Sequence, residues 1–245
     1  MKSILSFLAA ALVLAVPVRA AEAPPAHKIK LVLVGDSTVN DQGGWGRGFK
    51  QFLTGDIECI NVAQNGRSSM SFMREGRWTN ALALKGDYYF IQFGHNNEPG
   101  KPGRSTDMPT FVSDITKYVD DATAIGARPI LVTPLTRRQW VKGSTNEIKS
   151  TLVPYADAMR KIAAEKKIPL LELHDRSKAL CESLGKEKCQ EFSPLKTVDG
   201  TNTIDGTHLK APGHVLFARI VVDELRTAVP ELAPYLLSEP KVAGK

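Results

Sequence analysis

The sequence predicts an α/β fold, a three-layer α/β/α sandwich around a central five-stranded parallel sheet. Two observations carry that expectation. From residue 28 onward, apolar runs of strand length alternate with longer segments of helical periodicity. This is the pattern of β-α-β units, whose right-handed crossovers build a parallel sheet. Two of the runs, "YYFIQF" and "PILVT", are apolar on both faces, as strands are when helices cover both sides of a sheet.

In chain order the expected strands are 30–34 ("KLVLV"), 57–63 ("IECINVA"), 88–93 ("YYFIQF"), 129–133 ("PILVT") and 169–173 ("PLLEL"). Amphipathic helices are expected at 107–125, 150–167, 175–184 and from 212 to about 229. Between the third strand and the first of these helices, residues 96–109 form a long Gly/Pro-rich loop, "NNEPGKPGRSTDMP", a class of loop that edges functional sites. In such a sheet the loops at the strands' carboxyl ends carry function.

With 245 residues, 42% apolar and 24% charged, the chain has the size and composition of one globular domain, expected over 29–237. The first 20 residues read as an export signal. Lys2 starts positive, residues 4–16 are apolar, and Val18-Arg19-Ala20 resembles a small-residue cleavage site. Pro17 and Arg19 cut the apolar run too short for a membrane span. A linker at 21–28 and a flexible tail at 238–245 flank the domain. The expected destination is the periplasm or the extracellular medium.

Removing the signal takes away Lys2 and Arg19 and no acidic residue, so the formal charge falls from +6 to +4. That suits an acidic partner such as a polyuronate, but the charges are interspersed and no Lys/Arg run suggests nucleic acid. Export makes a Cys181–Cys189 disulfide the expected pairing, while Cys59, inside "DIECINVA", reads as a small buried hydrophobe. The C-x7-C spacing matches no common zinc motif, and no metal or cofactor is expected.

The strand ends gather chemistry. Gly35-Asp36-Ser37 follows the first strand, and two readings stay open there: a turn capping the next helix, or a Ser37 nucleophile. Gly66 follows the second strand and Asn96 the third; a glycine N–H and an asparagine amide are suited to hold an oxyanion. In "NTIDGTHLKAPGH", Asp205 precedes His208 by three residues, close enough for the carboxylate to orient the imidazole as a base for Ser37. Asp36 reads as a structural member of the turn.

"GDST", the glycine of "NGRSS", "GHNN" and "DGTHL" together resemble the four blocks of the SGNH (GDSL-type) hydrolases, in the same order and spread from Gly35 to His208. "GGWG", "NVAQNGRSSMSFMREGRW" and "GDYYFIQFGHNN" are most similar to the rhamnogalacturonan acetylesterase group. The resemblance implies a flavodoxin-like version of the sandwich and removal of acetyl groups from pectic polysaccharide without a cofactor. It makes Ser37 the nucleophile, His208 the base and Asp205 its orienter, with Ser37, Gly66 and Asn96 forming the oxyanion hole. One departure stands out: Asn97 occupies a position where many relatives carry aspartate. The G-x-S-x-G elbow of α/β-hydrolases is absent around Ser37.

For substrate contacts, Arg67, Trp78, His95 and Asn97 are the candidates. Trp45 and Trp140 are further stacking candidates, and Arg74, Arg77, Arg137 and Arg138 further partners for uronate carboxylates; core packing stays open for each of the three tryptophans and a structural ion pair for Arg67. His174 is expected to line the rim and His214 to cap or pack. Alternatives remain: an esterase for acetylated xylan, another acetyl-sugar or short-chain lipid esters; a non-catalytic carbohydrate-binding protein; or a metal hydrolase using His208 and His214.

Overall fold

A computed structural model describes residues 28–241. The proposed signal and most of the linker lie outside the described residues, as do 242–245. Five strands form one parallel sheet in the order β2-β1-β3-β4-β5. They are β1 (Ile29–Gly35), β2 (Ile57–Asn61), β3 (Tyr88–Gln92), β4 (Arg128–Val132) and β5 (Leu170–Leu171).

Because side chains alternate across a strand, each central strand feeds two cores. Leu31, Leu33, Phe90, Ile130 and Val132 pack one face beneath Trp45, Phe49 and the buried stripe of α7 (Gly213–Ala228). Helix α1 (Gly46–Phe49) and α6 (Leu173–Gln190) share that side. Val32, Val34, Tyr89, Ile91 and Leu131 pack the other face. Above them lie α2 (Ser69–Arg74), α3 (Arg77–Ala83), α4 (Met108–Ala124) and α5 (Val153–Lys166).

Several expected boundaries shift for identifiable reasons. Strand β5 keeps only two residues because Glu172 accepts a hydrogen bond from the Asp175 N–H and starts α6 at Leu173. That helix runs past 184 to Gln190, interrupted at Gly185, whose φ of 81° breaks the helical path. The short helices α1–α3 were not foreseen. Nor was the hairpin of β6 (Leu195–Val198) and β7 (Thr201–Ile204). Both strands are largely exposed, so they lack a one-sided apolar pattern; the available signal was Asp199-Gly200, both at positive φ as a two-residue hairpin turn requires. The stretch 238–241, expected to be a flexible tail, is tied down: Arg219 binds Ser238 and Glu239, and the Lys241 N–H donates to Gln51.

Registry positions the site. Gly35 at the end of β1 pairs with Gln92 at the end of β3, so the segments that follow both strands emerge side by side. The strands are so close there that a Cβ on Gly35 would come within 2.6 Å of the Gln92 carbonyl oxygen.

Candidate active site

The turn after β1 is built by Asp36. Its carboxylate accepts from the Thr38 N–H and hydroxyl at 2.8 and 2.7 Å, and its carbonyl accepts from the Val39 and Asn40 N–H groups. Gln92 links Thr38 to the Trp45 indole through bonds of 2.7 and 2.9 Å. This buried network fixes the backbone around Ser37 while leaving the hydroxyl at the floor of a cleft of about 1020 Å³.

His208 reaches that hydroxyl: its Nε2 lies 2.8 Å from Ser37 Oγ, and its Nδ1 lies 2.7 Å from Asp205 Oδ2. The other Asp205 oxygen accepts from the Thr207 and His208 N–H groups. Burial resists ionisation of Asp205, yet the His208 bond and these two N–H donors outweigh it, holding the carboxyl well below the usual carboxylate range. The loop carrying both residues is clamped from outside. The Leu209 N–H donates to Gly43, the Arg138 N–H donates to Gly206, and the Arg138 guanidinium donates to Ser193 Oγ and to the Asp205 and His208 carbonyls.

Gly66 and Asn96 line the same cleft as Ser37, Asp205 and His208. Gly66 sits at φ +73°, a conformation that favours glycine. Among the described residues, the N–H groups of Ser37 and Gly66 donate to no other protein group. Asn96 Nδ2 spends one hydrogen on the Arg67 carbonyl at 3.1 Å and retains the other. Three donors are therefore uncommitted beside the serine. A hydroxyl next to an oriented imidazole, with spare donors grouped near it, can perform acyl transfer through a tetrahedral oxyanion.

The model of the GDSL-like Lipase/Acylhydrolase family matches residues 33–216, which include every residue of this constellation. The chain belongs to that family. Its members are carboxylic ester hydrolases, and so is this chain. It is 33% identical over 225 residues to rhamnogalacturonan acetylesterase RhgT of Bacillus subtilis (strain 168), covering 86% of this chain and 95% of that protein. A rhamnogalacturonan acetylesterase of Emericella nidulans is 26% identical, with 84% and 86% covered. Among solved structures, an acetylxylan esterase from Geobacillus stearothermophilus matches with a TM-score of 0.61 at 18% identity, covering 81% of this chain and 96% of that one. A larger Bacillus subtilis protein matches with a TM-score of 0.68 at 24% identity; this chain's match covers 83% of itself and 57% of that protein.

Within this GDSL-family esterase, most of the expected substrate contacts are redeployed. Trp78 is buried among Tyr89 and Tyr118 and donates to Asp121, so it cannot stack on a sugar. Trp45 is likewise core, and half-buried Trp140 packs against the same core. His95 is buried behind the turn, its Nδ1 3.6 Å from Asp36. Burial lowers its pKa, against the pull of Asp36. Asn97 is fully buried and bridges Ser69 to Thr106, which ties the 96–109 loop to α2.

The arginines divide by burial. Arg137 pairs with Glu98 at 2.5 Å and donates to the His95 carbonyl, while Arg138 holds the catalytic loop; neither is available to a polymer. Arg67 stays at the surface but is paired with Glu75, which also binds Arg77. Arg74 donates to Gly103 and borders a groove of about 490 Å³ beside the cleft, together with Arg67. Sequence reasoning missed Arg47, Arg104 and Lys210, which line the cleft itself. The 96–109 loop was the available signal for Arg104.

His174 is buried, bridging Ser150 and Asp175, and does not line the rim. His214 packs at the cleft wall with Nδ1 2.7 Å from the Gly44 carbonyl. Since both His208 nitrogens are engaged by Ser37 and Asp205, His208 and His214 do not form a ligand pair. The expected Cys181–Cys189 bridge is not formed: both are buried free thiols, and Cys189 Sγ lies 3.5 Å from the Cys181 carbonyl, a hydrogen-bond donor rather than a disulfide partner. Cys59 is a free, half-buried thiol whose pKa burial pushes up to about 12.

Proposed function

We propose that the protein is an exported acetylesterase that removes O-acetyl groups from acidic pectic polysaccharide such as rhamnogalacturonan. Ser37 Oγ attacks the acetyl carbonyl while His208 Nε2 takes its proton. Asp205 accepts from Nδ1–H and stabilises the imidazolium. The Ser37 and Gly66 N–H groups and Asn96 Nδ2 receive the oxyanion. His208 then returns the proton to the departing sugar oxygen, and water, activated by the same imidazole, releases acetate from Ser37. The observation that carries this reading is the unbroken Asp205–His208–Ser37 chain of hydrogen bonds, at 2.7 and 2.8 Å, beside three uncommitted donors.

Two observations support an acidic polymer over a neutral one or a lipid. The relatives at 33% and 26% identity are named rhamnogalacturonan acetylesterases. Arg47, Arg104 and Lys210 line the cleft without a carboxylate partner among the described residues, and Asp205, held by His208, is the cleft's acidic residue. Guanidinium groups match uronate carboxylates in geometry and charge. The N-terminal 20 residues support export.

Acetate release from acetylated rhamnogalacturonan oligosaccharides, compared with acetylated xylan and 4-nitrophenyl acetate, tests the assignment. Preference for the acidic polymer that weakens with salt is expected. Equal or higher kcat/KM on acetylated xylan would move the substrate to a neutral sugar. Activity retained by a folded Ser37→Ala variant would remove the serine mechanism.

A further inference from the structure

Arg104 belongs to the loop that leaves β3 at the cleft and returns at α4. The loop is pinned near its end: the Thr106 N–H donates to the Asn97 carbonyl at 2.9 Å, and Asn97 Nδ2 donates to Thr106 Oγ1 at 3.0 Å. That anchorage brings Arg104 back over the two residues the sequence offered as oxyanion donors. Its Nη1 lies 3.3 Å from the Gly66 carbonyl oxygen and 3.5 Å from Asn96 Oδ1. The guanidinium has no carboxylate partner among the described residues.

A carboxamide can rotate about its last bond and exchange oxygen for nitrogen with almost no change in shape. For Asn96 only one orientation is useful, the one with Nδ2 available to the reacting carbonyl. In that orientation Nδ2 donates to the Arg67 carbonyl and Oδ1 faces the guanidinium. The flipped amide would turn NH₂ toward Arg104, which only donates, and Oδ1 toward the Arg67 carbonyl, which only accepts. Both neighbours oppose the flip, and the arginine's positive charge strengthens its side of the opposition.

We propose that Arg104 is a positioning residue for the oxyanion hole, locking the Asn96 amide with Nδ2 toward the substrate carbonyl. The inference rests on the oxyanion role proposed for Asn96 and is independent of which polymer is bound.

The test is a double-mutant cycle on 4-nitrophenyl acetate, which offers no uronate for an arginine to grip, with the melting temperature of each variant measured alongside. Asn96→Ala should lower kcat by roughly 10²–10³-fold, the usual cost of one oxyanion donor. Arg104→Met should lower kcat by about tenfold with KM changed by less than about twofold, and Arg104→Lys should restore most of the loss. In the Asn96→Ala background, Arg104→Met should cost nothing further. If the methionine variant melts early, Arg104→Ala, which likewise offers no donor to Asn96 Oδ1, replaces it in the cycle. Full kcat on the small ester in a variant that removes the guanidinium, with loss confined to the acidic polymer, would overturn the proposal and leave Arg104 only the uronate contact it would share with Arg47 and Lys210. Additive losses in the double variant would overturn it as well. An intact Asn96→Ala enzyme would remove the oxyanion reading itself, whereas loss in Asn96→Ala beside an unaffected Arg104→Met sinks only the inference about Arg104.

Discussion

Asn97→Asp exchanges one nitrogen for one oxygen, so its cost comes from hydrogen bonding and charge, with volume unchanged. Asn97 is fully buried; Nδ2 donates to Ser69 Oγ at 2.7 Å and Thr106 Oγ1 at 3.0 Å. The Ser69 hydroxyl proton is already given to Asp114 at 2.7 Å. A carboxylate at 97 would therefore meet Ser69 Oγ with no proton between them, and would stand across that hydroxyl from Asp114. Burial already raises the Asp114 carboxyl, against the Ser69 hydrogen bond. Burial and the nearby Asp114 would raise the introduced acid's pKa above the roughly 3.9 of the unfolded chain, and a rise of about two pH units costs about 3 kcal/mol once the acid is ionised in both states. The lost donor adds about 1 kcal/mol that does not depend on pH. A raised acid binds its proton more tightly in the folded state, so the ionisation penalty is absent below about pH 4, grows as pH rises and levels off above about pH 6. Urea unfolding of wild type and Asn97→Asp at pH 4.5 and pH 8 should show the difference in stability widening by about 2 kcal/mol at the higher pH. A stability loss that is equal at the two pH values, or no loss at all, would refute the reasoning that Asn97 acts as a buried donor between two hydroxyls.

Arg138→Met removes the donors that hold Ser193 and the His208 carbonyl, and should cost about 3 kcal/mol, or about 6–12 °C in Tm. It should also lower kcat with little change in KM; an unaltered kcat would mean that the Asp205–His208 loop holds itself. Asp205→Asn should lower kcat on a small ester by roughly 10³–10⁴-fold, because the amide favours the wrong imidazole tautomer. Because the folded protein holds the Asp205 carboxyl below its unfolded value, its stabilisation is present above about pH 4 and is lost as pH falls through the folded value. The melting temperatures of wild type and Asp205→Asn should therefore converge in acid. Cys59, with its thiol raised to about 12, should resist iodoacetamide at pH 8 in the native protein and react once urea exposes it.

The five-strand order of apolar runs was legible because a strand covered on both faces leaves a continuous hydrophobic signature, as at 88–93 and 129–133. The positions of Ser37, Gly66, Asn96, Asp205 and His208 were legible because turn and base chemistry is written in short local blocks. The hairpin after α6 was not, since exposed strands carry no burial pattern, and its one cue was a two-residue turn. The end of the fifth strand was also hidden: whether 172–173 extends a strand or caps a helix depends on the Glu172 side chain reaching Asp175, a choice made in three dimensions.

The roles of the arginines, of the tryptophans and of His95 and His174 were decided by the tertiary structure. By itself the sequence determined the sheet, the order of the blocks and which residue types stand at the strand ends, because these follow from periodicity and local turn chemistry. It could not separate a buried side chain from an exposed one of the same type. Arg138, Arg67 and Arg104 look alike as letters. Packing makes one a clamp on the catalytic loop and pairs the next with Glu75. It leaves the third without a counter-charge above Asn96, because the partners a guanidinium finds, a carboxylate, a backbone carbonyl or an amide oxygen, are set by how the loops fold back on one another at the sheet edge.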